Sequence, residues 1–163
     1  MSTQLASNQS SLPMPDAKDF RVAVVTANWN SHITHSLRDA AVKKLKECGM
    51  SDPDIGLFDV PGAVELTFAA SQLIETSLFD AVIVFGCVIR GGTPHFDYVC
   101  QSVTQGVTML NADCDIPVIF GVLTVDTEQD AVDRAGGKLG NKGTEAAEAA
   151  LLMIDFARKT KDL

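Results

Sequence analysis

Apolar positions along this chain fall into two alternating rhythms. Residues 20–27 (FRVAVVTA) form an apolar run rich in β-branched side chains, the pattern of a strand covered on both faces. Ile33, Leu37, Ala41, Leu45 and Cys48 then recur every three or four residues, which predicts a helix, with Gly49 just past its end. Residues 55–60 predict a second strand, and Pro61 is expected to open a helix whose buried stripe is Leu66, Ala70 and Leu73. Residues 80–89 (DAVIVFGCVI) carry the strongest strand signal. They lead into Gly91 and Gly92, with Thr93 expected as N-cap and Pro94 at the first helical position. The helix that follows presents Phe96, Val99, Val103, Val107 and Leu110 on one face. Residues 117–124 predict a fourth strand. Thr127 with Asp130 has the spacing of a capping box for a short helix ending at Gly136-Gly137, and an Ala-rich helix runs from Lys142 to Arg158.

Strand–helix alternation of this kind predicts an α/β fold, a three-layer α/β/α sandwich around a four-stranded parallel sheet. With right-handed crossovers the expected strand order is 2-1-3-4, the flavodoxin-like arrangement. Ligands in such sheets bind beyond the carboxyl ends of the strands, where the winding reverses, here between the first and third strands. That rule selects Asn28-Trp29-Asn30 and Gly91-Gly92-Thr93-Pro94-His95. The polar, Ser/Gln/Asn-rich residues 1–16 are expected to be a flexible N-terminal segment, and residues 17–163 a single domain.

Charge and composition narrow the function classes. A net charge of −8 without a basic stripe disfavours tracking along a nucleic-acid backbone, so no nucleic-acid partner is expected. No apolar run approaches the roughly 18 residues of a membrane span, and the N-terminus lacks the pattern of a secretory signal. A cytoplasmic protein without a membrane partner is expected. Cys48, Cys87, Cys100 and Cys114 show no C-x-x-C pairing, so reduced thiols are expected and no metal site.

Several residues have two readings each. The residue 91–95 stretch is either an anion cradle at a helix N-terminus, with His95 held neutral and able to accept a proton, or a Gly-rich turn beside a solvated histidine. Arg134 either forks a phosphate or stabilises the C-terminus of its own helix. Trp29, the only tryptophan, either stacks on a planar heterocycle or caps the core. Glu65 either complements its helix dipole or accepts hydrogen bonds from ligand hydroxyls, and Phe120 reads as core by default. Lys138 and Lys142 read as surface charges, and His32 and His35 as exposed.

Four ordered blocks nevertheless resemble one family. Val60-Pro61-Gly62-Ala63-Val64-Glu65-Leu66 is similar to the V-P-G-A-[FY]-E-[LI] segment of lumazine synthases. Gly86-Cys87-Val88-Ile89-Arg90-Gly91-Gly92-Thr93-Pro94-His95-Phe96-Asp97-Tyr98-Val99 resembles their longest signature, G-x-V-I-R-G-x-T-x-H-[FY]-x-Y-V. Asn28 to Thr34 near the start, and Gly121 through Gly143, supply the other two blocks. The resemblance extends from about Phe20 to Arg158.

It implies a transferase that condenses 5-amino-6-(D-ribitylamino)uracil with 3,4-dihydroxy-2-butanone 4-phosphate, the penultimate step of riboflavin biosynthesis, without a cofactor. By the same resemblance, Trp29 stacks on the pyrimidine where the family usually has Phe. Ala63, Val64 and Glu65 hold the uracil substrate, with Glu65 on the ribityl hydroxyls, and Val64 departs from the family's usual aromatic residue. Cys87, Val88 and Ile89 contact the uracil through backbone groups. Gly92 and Thr93 offer amides to the phosphate, Arg134 pairs with it, and His95 transfers protons. Phe120 reaches a site shared with the adjacent subunit, and Lys142 touches the pyrimidine. The partners implied are the small-molecule substrates and further copies of the chain, in a homopentamer or a shell of sixty subunits. The alternative on the same scaffold is a non-catalytic flavin-binding or storage protein.

Overall fold

Four strands emerge in the places where the apolar runs predict them: β1 (Val22–Ala27), β2 (Ile55–Val60), β3 (Ala81–Ile89) and β4 (Val118–Val125). In the computed structural model, which describes residues 12–161 and 163, they form one parallel sheet in the order β2-β1-β3-β4. This is the expected order. Residues 1–11 of the segment expected to be flexible lie outside the described residues, so that expectation falls there too; residues 12–16 adopt neither helix nor strand.

Successive side chains along β1 point to opposite faces and so divide the core in two. Val22 and Val24 pack with Ile33, Leu37, Leu151 and Ile154, under α1 (Ser31–Glu47) and α5 (Lys142–Lys161). Ala23 and Val25 pack with Leu66, Ala70, Val103 and Val107, under α2 (Leu66–Glu75) and α3 (His95–Asp113). The result is the three-layer α/β/α sandwich. Fully buried Leu37, Leu66 and Phe85 each contribute about 2 kcal/mol by removal of apolar surface from water.

Local departures from the expected pattern have local causes. Pro61 does not open α2; a 3-10 turn at Ala63–Glu65 precedes it, and the α-helix begins at Leu66. Leu73 is half-buried, not buried as its stripe predicts. Pro94 occupies the N-cap of α3 in place of Thr93, its φ of −63° already helical, and Thr93 contributes only a long contact, its Oγ accepting from the His95 N–H at 3.4 Å. The Thr127 cap forms as expected: its Oγ accepts from the Asp130 N–H at 3.2 Å, starting α4 (Glu128–Arg134). The glycine-rich segment after α4 folds into a small antiparallel ladder of β5 (Ala135–Gly137) and β6 (Gly140–Asn141), which periodicity cannot show in so few residues.

The feature that shapes the site is the unequal reach of the strands. β3 pairs with β1 only as far as Thr26–Phe85, but with β4 as far as Ile89–Val125. Residues 86–89 therefore project beyond β1, and their backbone edge on that side is left to the loops.

Candidate functional site

The loops after β1 and β2 are fastened to each other. Asn28 donates its N–H to the Val60 carbonyl at 2.8 Å, and Trp29 donates to the Pro61 carbonyl at 3.0 Å. Asn30 then turns the chain in the left-handed region (φ 58°, ψ 45°), and its carbonyl accepts from Ile33 and Thr34 to start α1. Thr34 Oγ, fully buried, donates back to the Ala27 carbonyl at 2.7 Å.

That geometry sets the Trp29 indole across Gly62. A Cβ at position 62 would lie 2.6 Å from Trp29 Cε3, so only glycine admits this contact without displacement. One part of the indole rests on the Gly62 backbone while the residue remains 68% exposed. Trp29 therefore does not close the core; its exposed surface is free to stack on a flat ligand.

Beside it, Glu65 Oε2 is buried and has no hydrogen-bond partner. A buried carboxylate oxygen left without a donor is costly, so a ligand hydroxyl arriving there satisfies a group that the fold leaves open. Ala63 is buried beneath this wall, and Val64 is exposed. Position 64 carries no ring, so the flat surface of this wall belongs to Trp29.

The facing wall is the projecting end of β3. Cys87 is buried, and Val88 and Ile89 are half-buried. Burial, and secondarily the charge of Glu128, push the Cys87 thiol up to about 11, so it stays protonated near neutral pH and is a poor nucleophile.

Past Ile89 the chain opens into the glycine loop. Gly91 and Gly92 are exposed, and nothing lies within 4 Å of where a side chain would start at either one. Thr93 and His95 are also exposed, and among the described residues no hydrogen bond reaches the His95 ring. The loop ends on the N-terminus of the 19-residue α3, where unpaired N–H groups and the helix dipole favour an anion. Arg90 braces its base: Nε donates to Asp126 at 2.7 Å, Nη1 to Asp97 at 3.3 Å, and the guanidinium lies 4.1 Å over the Phe96 ring. Sequence reasoning passed over Arg90, and over the 2.7 Å contact of His32 with Glu128 that links the starts of α1 and α4. His35 is half-buried against Asn28, not exposed as expected.

The single chain thus gathers Trp29, Ala63, Val64, Glu65, Cys87, Val88, Ile89, Gly92, Thr93 and His95 on loops and strand ends at one edge of the sheet. Three other candidates stand differently. Arg134 turns back on its own helix, Nη1 donating to the Asp130 carbonyl at 2.8 Å. Lys142 is held by both oxygens of Glu145, at 2.7 and 2.9 Å. Phe120 pairs with Val84 and lies five residues before the end of β4, about 17 Å from it at ~3.3 Å per residue. No hydrogen bond or ion pair joins Arg134 or Lys142 to the glycine loop among the described residues. No group of three or more potential metal ligands occurs among them either.

Comparison with known proteins shows the family. Residues 19–158 match the family model described as 6,7-dimethyl-8-ribityllumazine synthase. The chain is 56% identical to a 6,7-dimethyl-8-ribityllumazine synthase of Bacteroides fragilis, over 83% of this chain and 95% of that protein. It is 51% identical to one of Phocaeicola vulgatus, over 90% of this chain and 87% of the relative. A protein of the same name from Flavobacterium psychrophilum is 48% identical over 90% of this chain and 78% of its own length.

Proposed function

The chain belongs to the 6,7-dimethyl-8-ribityllumazine synthase family, and from that premise we propose how its own residues divide the work. It is a transferase of riboflavin biosynthesis, condensing 5-amino-6-(D-ribitylamino)uracil with 3,4-dihydroxy-2-butanone 4-phosphate to 6,7-dimethyl-8-ribityllumazine. The amine of the uracil adds to the ketone and loses one water to give an imine. Inorganic phosphate then leaves by elimination, and attack of the ribitylamino nitrogen on the resulting carbonyl loses a second water and closes the ring. The demands are alignment of two substrates and movement of protons, which side chains and backbone amides supply.

The observation that carries the assignment is the unpartnered Glu65 Oε2 beside the exposed face of Trp29. Trp29 stacks on the pyrimidine, Glu65 accepts from the ribityl hydroxyls, and Ala63 and Val64 line the same wall. The backbone of Cys87, Val88 and Ile89 meets the polar edge of the uracil. Gly92 and Thr93 present amides to the phosphate, and His95 moves protons at the reacting nitrogen and carbon. Arg134 pairs with the phosphate, Lys142 approaches the pyrimidine, and Phe120 completes the pocket of a neighbouring copy. Residues 17–163 act as one catalytic domain. The family self-associates, and we take the pentamer as the working assembly. Free Cys48, Cys87, Cys100 and Cys114 suit a reducing compartment such as the cytoplasm. No helix among the described residues is long and apolar enough to cross a membrane. The relatives named above are all synthases, which favours catalysis over the flavin-storage alternative.

The direct test is phosphate release and lumazine fluorescence that both require both substrates; either signal with one substrate alone overturns the assignment. His95→Ala should slow turnover by about 10²-fold or less, the low end for a general acid–base group, because the substrate amine is already a competent nucleophile. Rates measured across pH decide it, and an unchanged rate at every pH removes His95 from the mechanism. Riboflavin should quench Trp29 emission on binding, because stacking places the flavin ring against the only indole. An indole signal unmoved at saturating flavin contradicts the stacking role.

A further inference from the structure

Asn30 holds a position that no assigned role explains. It is one of two non-glycine residues with positive φ among those described, the other being Ser77 on a distant turn. Asparagine tolerates this region better than most residues, yet the conformation still has a cost that the surroundings must justify. Here the side chain supplies a reason. Asn30 Nδ2 donates to the Cys87 carbonyl at 3.0 Å, a bond between residues 57 positions apart.

The strand register shows why that carbonyl needs it. β1 stops pairing with β3 at Phe85, so the Cys87 carbonyl lies beyond the last β1 partner. The Asn30 amide replaces the missing ladder donor. The same residue's left-handed turn fixes the exit of the chain from Trp29, whose own N–H is tied to Pro61. Asn30 therefore links the segment that carries the stacking wall, Trp29 on Gly62, to the backbone wall, Cys87 and Val88.

We propose that Asn30 is a positioning residue for the uracil substrate, holding the indole and the β3 backbone edge at the separation a pyrimidine requires. The proposal rests on the assignment of these two walls to the uracil given above. It makes a one-sided prediction, because the glycine loop and His95 lie past Ile89, where β4 and Arg90 support the backbone instead.

Two variants test it. Asn30→Asp keeps the shape and the tolerance for positive φ but turns a carboxylate oxygen toward the Cys87 carbonyl. Asn30→Gly keeps the turn and removes the tie. Both should raise KM for the ribitylaminouracil by about 10-fold or more, with KM for the keto-phosphate within about 2-fold of wild type, as expected when a hydrogen bond supporting one subsite is lost. Riboflavin titrations followed through Trp29 emission should shift to weaker binding by a similar factor. That measurement needs no turnover, so it reports on Asn30 separately from the condensation reaction. A merely structural residue would lower the melting temperature and leave the two KM values and the flavin titration in place. Wild-type uracil KM and flavin affinity in both variants, or equal rises in both KM values, would overturn the proposal.

Discussion

Replacing Arg134 by Ala should raise KM for the keto-phosphate on the order of 10²-fold, with KM for the uracil substrate moving by about 2-fold or less, because hydrogen bonds to a charged group carry roughly 1.5–3 kcal/mol. Arg134 differs from Arg90, Lys138 and Lys142 in how far it is already neutralised. Arg90 is engaged by Asp126 and Asp97, Lys138 by Asp133 at 2.9 Å, and Lys142 by Glu145. Arg134 has its nearest carboxylate oxygen, on Asp130, at 3.8 Å, and makes its one short bond to a backbone carbonyl. Most of the donors of its planar fork remain uncommitted, and a fork is the geometry that grips a phosphate at two oxygens. On the proposed pairing, loss of the side chain would leave the phosphate with backbone donors alone. Separate KM measurements for the two substrates check this, and Arg134→Lys should recover part of the loss by charge without the fork. The competing role is also concrete: bonded to the Asp130 carbonyl, Arg134 complements the end of α4, a contribution of about 0.3–1 kcal/mol to stability. If that were its whole purpose, the melting temperature would fall slightly and both KM values would keep their ratio.

The sheet was legible because its evidence is local and repeated. Residues 22–27 and 81–87 are buried without a break, and a strand covered on both faces is apolar at nearly every position, Thr26 being the polar exception, so the run itself marks the strand. The switch-point rule then located Trp29 and the glycine loop without any knowledge of side-chain contacts. What the sequence concealed depends on distances between residues far apart in the chain. The bond from Asn30 to Cys87 exists only because β3 outruns β1, and strand registers are not written in either segment alone. Arg90 is concealed in the same way, since its partners belong to different elements, Asp97 to the first turn of α3 and Asp126 to the loop after β4. The start of α3 was misplaced by one residue because Thr93 and Pro94 each favour a helix N-terminus, and their order alone does not say which takes the cap. For Trp29 the sequence allows core or ligand, and the exposed side chain over Gly62 excludes the core.

A pentamer should be the smallest active species, and dissociation should reduce activity per subunit by at least about 10²-fold, since misplacement of a substrate-positioning group by ~1 Å already has that effect. Phe120 sits near the middle of the sheet's height, packed on the α2–α3 core, far from the carboxyl ends that carry its own chain's loops. It can line a pocket only by approaching another copy. The surface of the single chain is consistent with extensive burial between copies: Phe68 on α2 is 71% exposed, and Tyr98 and Met109 on α3 are 68% and 64% exposed. Large apolar side chains on neighbouring helices mark a face that association removes from water. The larger shell is more finely balanced. In the N-terminal segment Pro13 and Pro15 each lack the N–H that an edge strand added to a neighbouring copy would donate. Residues two apart direct their N–H groups to the same side of a strand, so both losses fall on one edge and the other edge can still pair. The pentamer is the expected species. Sedimentation at several protein concentrations, with activity assayed across the same range, separates the cases. A fully active monomer would refute the shared pocket, and a stable megadalton particle would show that the two prolines leave the shell intact.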